Sequence, residues 1–86
     1  MKLEQKEKII SDIFDELRTA EKNFPGWPDN EFEGAAVLGE EFGELQQALL
    51  QHKYDGRSYE AVRIEAIQTA AMAIRFCLNM KESEDE

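Results

Sequence analysis

Ile64-Glu65-Ala66-Ile67-Gln68-Thr69-Ala70-Ala71-Met72-Ala73-Ile74-Arg75-Phe76-Cys77-Leu78 is the stretch that decides the fold. Wound as a helix, it is apolar almost all round, interrupted only by Glu65, Gln68, Thr69 and Arg75. A helix without a polar side is buried over most of its circumference, so other helices must wrap it. The spacing predicts a helix from about Ser58, a good N-cap residue, to Met80. Ala66, Ala70, Ala73 and Cys77 form a row of small residues suited to close helix contact. A three-helix monomer does not easily surround such a helix, so the pattern predicts a dimer or larger assembly built around it. Cys77 is the single cysteine. It excludes an intrachain disulfide and reads as a small buried residue. Glu65 stands out, because an ionised carboxylate inside such a helix needs a partner, a metal or access to water. Arg63 and Arg75 are the candidate charge partners.

Working outward, a second helix is predicted from Asn30 to about His52. Asn30 with Glu33 three residues on makes an Asn version of the capping box. Leu38, Phe42, Leu45 and Leu49 form its main apolar stripe, and Val37, Glu41, Glu44 and Ala48 the adjoining one. The glutamates thus flank the core face. Gly39 and Gly43 each cost about 1 kcal/mol against alanine in a helix; close approach of another helix or a ligand would explain them, and Gly34 falls in the same row. His52, the only histidine, is placed to complement the helix dipole, and Asp55-Gly56 supplies the turn. A first helix spans residues 3 to about 23, with Leu3, Ile10, Ile13, Phe14, Leu17 and Ala20 on one stripe. Between these helices, Phe24-Pro25-Gly26-Trp27-Pro28-Asp29-Asn30 breaks the pattern. Its aromatics read as anchors to the core or as a wall over a binding pocket. The fold expected is all-α: a three-helix protomer of long antiparallel helices, assembling into an oligomeric helical bundle. Residues 1–81 form a single domain, and the charge run at 82–86 reads as a disordered tail.

Eighty-six residues make one domain at most, and a chain this short buries only about 60% of its unfolded surface. The formal net charge of −9 argues against a basic nucleic-acid-binding surface and against an anionic membrane surface. An anionic substrate would need metal and local Lys or Arg to offset repulsion. No signal-peptide-like run opens the chain and no run of ~20 apolar residues spans a bilayer, so a cytoplasmic location is expected. There is no internal repeat, Gly-rich phosphate loop, zinc-spaced Cys/His set or nucleophile-His-acid arrangement.

Glu41 and Glu44 are three apart and project from neighbouring positions of one helix face; Glu65 and Gln68 repeat that spacing on the next helix. Packed side by side, the two helices bring three carboxylates and one amide together. Converging carboxylates repel one another and are costly to desolvate. A hard divalent cation offsets both costs, since Mg²⁺ prefers oxygen ligands. Glu40, one turn before Glu44, can join the cluster.

Glu41-Phe42-Gly43-Glu44-Leu45, followed by Glu65 on an alanine-rich helix, resembles the all-α nucleoside triphosphate pyrophosphohydrolases of the MazG-like group, whose pattern is Glu-x-x-Glu, a spacer, then Glu-x-x-Asp. The resemblance covers roughly residues 30–80. It implies small helical chains forming dimers or tetramers and a Mg²⁺-dependent hydrolysis of a nucleoside triphosphate to the monophosphate and pyrophosphate. It makes Glu41, Glu44 and Glu65 metal ligands. Gln68 stands where the family has aspartate; it supplies a neutral carbonyl oxygen and cannot act as a base, so the site would hold Mg²⁺ less tightly or lean on Glu40 or water. The stretch from Glu65 to Arg75 also looks like that of short MazG-like chains from bacteria and phages.

Two readings follow. As an enzyme, the chain binds Mg²⁺ (Mn²⁺ as an alternative) through Glu41, Glu44, Glu65 and Gln68, with Glu40 and Glu41 as the catalytic carboxylates. Lys53, Arg57, Arg63 or Arg75 offsets phosphate charge, and Trp27 or Phe24 stacks on the base. As a non-catalytic helical oligomerisation module, it keeps the assembly core with a degenerate acidic metal site. The direction of the Glu65 side chain separates them: toward Glu41 and Glu44, or toward Arg63 or Arg75.

Overall fold

The computed structural model describes residues 2–80, and the predicted disordered tail at 82–86 lies outside them. Three helices occupy almost all of that span: α1 (Leu3–Asn23), α2 (Glu31–Asp55) and α3 (Tyr59–Leu78). No strand occurs among the described residues, and no described helix is long and apolar enough to cross a membrane.

Each boundary has a local cause. The Asn30 side chain accepts hydrogen bonds from the Phe32 and Glu33 backbone N–H groups, at 2.7 and 3.3 Å. α2 ends three residues later than the sequence suggests, at Asp55, because the stop is set by Gly56. That glycine takes the left-handed conformation, φ 76°, which costs a residue without Cβ nothing, and the following Arg57 N–H closes on the Gln51 carbonyl at 3.1 Å. Ser58 then caps α3 by accepting from the Ala61 N–H at 3.1 Å. His52 belongs to this corner: a ring nitrogen lies 2.7 Å from the Arg57 carbonyl oxygen, and the ring packs on Tyr59.

α3 is the centre of the molecule. α1 packs on one side of it and α2 on another, while α1 and α2 do not pack on each other. Leu17, Ala20, Ala71 and Met72 form the buried cluster, with Ile13, Trp27, Leu38 and Ile74 against it. Ala48 of α2 and Ala71 of α3 are completely covered, and such small side chains let helices approach closely. Asp12 of α1 receives the Arg63 guanidinium of α3 at 2.7 Å and the Lys8 ammonium at the same distance.

The structure corrects three expectations. The strip of α2 that meets α3 runs through Gly34, Val37, Leu38, Glu41, Leu45 and Ala48; Phe42 and Leu49, expected inside, are about half exposed. The reason is angular: the contact falls between the two strips, which lie about one residue step of 100° apart. Leu38 and Leu45 of one and Val37, Glu41 and Ala48 of the other face α3, while Phe42 and Leu49 on one flank and Glu44 on the other stay exposed. Gly34 explains its own absence of side chain, since a Cβ there would lie 3.1 Å from the Trp27 indole nitrogen and 3.4 Å from Phe76, whereas Gly39 and Gly43 face open space. Cys77 is exposed, because α1 and α2 cover other sides of α3 and leave the row from Ala66 to Cys77 on its outer face.

The segment between α1 and α2 is held by Arg75. This buried side chain, 5% exposed, donates to the Phe24 carbonyl at 2.6 Å and the Gly26 carbonyl at 3.2 Å, and its guanidinium lies over the Trp27 ring, 5.0 Å from the centroid. Replacing it with an apolar residue of similar length removes two charge-assisted bonds. Arg75→Met is expected to lower stability by roughly 1–3 kcal/mol and to red-shift the emission of Trp27, the only tryptophan, as the loop lifts. Chemical denaturation and fluorescence of the same samples measure both.

Candidate functional site

Because α3 is the floor and α1 and α2 stand as separate walls, a cleft runs between them. It has a volume of about 370 Å³ and is closed at one end by the loop bearing Trp27. Glu16, Thr19, Ala20 and Asn23 line it from α1, Val37 and Glu41 from α2, Gln68, Met72 and Arg75 from α3, and Phe24, Gly26, Trp27 and Pro28 from the loop. The cleft is thus apolar at its loop end and acidic where Glu41 and Glu16 face it.

At that acidic edge the helices bring Glu41, Glu44 and Glu65 together. Each contributes a carboxylate oxygen to a group lying within 4.8 Å of one another. The register that does this is fixed by Thr69: its hydroxyl sits 2.8 Å from the Glu65 carbonyl one turn earlier and 3.3 Å from the Glu41 carbonyl across the helix pair. Glu65 therefore points at the other two glutamates. Arg63 is engaged with Asp12 and Arg75 with the loop carbonyls.

The electrostatics record the crowding. Burial holds the Glu41 carboxyl above its ordinary value of 4.5, and the charges of Glu44, Glu65, Glu16 and Glu40 push the same way. Glu65 is raised first by burial, then by a carboxyl–carboxyl hydrogen bond with Glu44 and by that group's charge, with Arg57 opposing. Oε2 of Glu41 and Oε2 of Glu65 are buried and receive no hydrogen bond. Buried carboxylate oxygens normally find a donor; a cation is the other partner that satisfies them. The donor set, all carboxylate oxygen, suits Mg²⁺ or Mn²⁺ and no soft metal.

The remaining predicted residues separate. Gln68 lines the cleft beside Glu41. Glu40 is exposed on the neighbouring strip of α2, outside the three-carboxylate group, though its charge reaches Glu41. Arg57 borders a smaller depression with Glu44, Gln47 and Glu65, so it flanks the acids from the side opposite the cleft; one of its guanidinium nitrogens donates to the Gln51 side chain at 2.7 Å. Lys53 lies over the Tyr54 ring and lines neither depression. Arg63, tied to Asp12, lines neither of them. Sequence reasoning missed Glu16, Thr19 and Asn23, which α1 contributes to the cleft. Nothing in the one-dimensional pattern marks them, since they sit at the edge of an ordinary amphipathic stripe; Thr69 was visible only as an interruption of α3.

No known protein family, curated protein or solved structure matches this chain.

The raised carboxyls set a pH dependence. A carboxyl whose folded pKa exceeds its unfolded value holds its proton more tightly in the native state, so stability falls as pH rises from about the unfolded value through the folded one. Asp12 acts oppositely: hydrogen bonds from Lys8 and Arg63 hold it below its ordinary 3.8, and its contribution is lost as pH falls through that lowered value. Metal-free protein should therefore be most stable in mildly acidic solution. Glu41→Gln should raise the melting temperature near pH 7.5 by a few degrees and change it little near pH 4.5, a contrast that thermal melts in chelator read directly. A variant less stable at both pH values would contradict the repulsion described.

Proposed function

We propose that the chain is a Mg²⁺-dependent nucleoside triphosphate pyrophosphohydrolase, converting an NTP or dNTP to the monophosphate and pyrophosphate. The observation that carries this reading is the convergence of Glu41, Glu44 and Glu65 within 4.8 Å, two of them with buried, unpartnered oxygens, at the edge of a cleft large enough for a planar ring. The resemblance of Glu41-Phe42-Gly43-Glu44-Leu45 and Glu65 to the MazG-like pattern points the same way.

In this reading Glu41, Glu44 and Glu65 hold the cation. Bound there, it neutralises the triphosphate and polarises the phosphorus under attack. The chain's residues do the rest. Trp27, stacked on one side by Arg75, and Phe24 form the wall against which a base packs, and the Gln68, Asn23 and Thr19 side chains supply hydrogen-bonding groups along the cleft. Arg57 offsets phosphate charge from the far side of the acids, the role for which Lys53 and Arg63 are less well positioned. Hydrolysis forms one bond, from water oxygen to phosphorus, and breaks the bond to the departing pyrophosphate. The water proton passes to a carboxylate, Glu41 or the neighbouring Glu40. Gln68 is a neutral ligand or base-contacting group and takes no proton. The reading carries with it an assembly of two or four copies.

The test is pyrophosphate release across all common NTPs and dNTPs with and without Mg²⁺. Metal-dependent release is expected, falling at least 100-fold in Glu41→Gln and in Glu65→Gln, with Trp27→Ala raising KM more than it lowers kcat. Silence across the panel from folded protein would reject the enzyme in favour of a helical assembly module with a residual acidic site.

A further inference from the structure

α1 turns a carboxylate into the cleft that the acids of α2 and α3 do not account for. Leu17 and Ala20, with Ile13 against them, seat α1 on α3. Glu16, Thr19 and Asn23, at steps of three and four residues, form the strip beside them, and that strip faces the cleft. Glu16 is half-buried there. Its neighbours show how an acid on this helix is ordinarily settled: Asp12 is met by Lys8 and Arg63, and Asp15 by Arg18. Glu16 has no such partner. The residues three and four positions away are Asp12, Ile13, Thr19 and Ala20, and no hydrogen bond or ion pair reaches it among the described residues. Arg75, the only cation lining the cleft among the described residues, is engaged by the loop carbonyls.

Glu41 and Gln68 line the same cleft as Glu16. The charge of Glu16 is felt at Glu41, where it adds to the upward push on that carboxyl. A half-buried carboxylate facing another, with no basic group to pair with, is unfavourable by itself. A cation between the helices reverses that sign. The acids around such a cation are also one charge short on this side. Glu41 and Glu44 on α2 are matched in spacing by Glu65 and Gln68 on α3, but Gln68 is neutral. Glu16 lies outside the group of three carboxylates, so it does not ligate as they do. Mg²⁺ keeps several waters when protein carboxylates bind it, and a carboxylate beyond the ligands acts through them.

We propose that Glu16 is the fourth carboxylate of the cation site, an outer one that supplies from α1 the charge Gln68 lacks. The proposal rests on the reading of Glu41, Glu44 and Glu65 as a cation site and extends it to the third helix. α1 and α2 do not pack on each other, so the cation becomes the link between the two walls of the cleft, and α1 is part of the site as well as a cover for α3.

Mn²⁺ binding to the full chain, followed by electron paramagnetic resonance, tests this. Glu16→Gln is expected to weaken binding about tenfold, the effect of removing a group that supports the ligands from behind, with unchanged helical circular dichroism. Glu21→Gln removes an exposed acid of the same helix that lies outside the cleft, and should leave the affinity as it was. Adding Gln68→Glu to Glu16→Gln should restore most of the loss, because it returns a charge to the same cleft. Unaltered affinity in Glu16→Gln, an equal loss in Glu21→Gln, or a double variant as weak as Glu16→Gln alone would each overturn the proposal and leave the three-carboxylate site standing. Wild-type protein that binds no Mn²⁺ would reject that site and the proposal with it.

Discussion

The structure depends on one helix being buried from two directions. α3 is the only element that α1 and α2 share, and neither supports the other. Everything of chemical interest follows from that arrangement. Two walls on one floor leave a cleft between them, and a floor helix that must be apolar nearly all round makes each polar residue on it expensive. Four interrupt it between Ile64 and Leu78. Thr69 sets the register of α2, Arg75 holds the loop, Gln68 lines the cleft, and Glu65 closes the acidic cluster. None is an idle surface group.

Arg75 and Glu65 show two ways of keeping a charge in such a helix. One terminal nitrogen of the Arg75 guanidinium is met by two backbone carbonyls and the group lies over an aromatic face, so its charge is spread over dipoles, although its Nε is buried without a hydrogen-bond partner. Glu65 is met by two more carboxylates; burial and then Glu44 raise its proton affinity, and its own charge helps to raise that of Glu41. The first arrangement stabilises the folded chain. The second is unfavourable unless protons or a cation are added, and a local cost of this kind is a common mark of a functional site.

Much of this was legible from the sequence because helical periodicity and end signals are local. Asn30, Ser58 and Gly56 act on backbone groups within a turn of themselves, and the helices fall where those residues put them. The meeting of Glu41 and Glu44 with Glu65 was legible only on the condition that α2 and α3 pack side by side with those strips facing, and they do. What escaped depends on the rotation of one helix about its axis, which no single stripe determines. The sequence of α2 offers a leucine-rich strip and a glutamate-bearing strip side by side. α3 meets the boundary between them, Leu38 and Leu45 from the first and Val37, Glu41 and Ala48 from the second, where Ala48 and Gly34 allow closer contact than Phe42 and Leu49 would. That rotation left Phe42 and Leu49 half exposed and Gly39 and Gly43 open. Cleft residues from α1, such as Glu16 and Asn23, were invisible because only the tertiary arrangement turns that helix edge toward Glu41.

The central claim is that Glu41, Glu44 and Glu65 form one divalent-cation site. Its most direct test is titration of the metal-free protein with Mn²⁺, followed by electron paramagnetic resonance and by the protons released. One saturable ion per chain, displaced by Mg²⁺, accompanied by a proton release that grows as the pH is lowered and lost when Glu41 and Glu65 are both changed to glutamine, is the result predicted. Absence of saturable binding, or binding unaffected by those two changes, would contradict it.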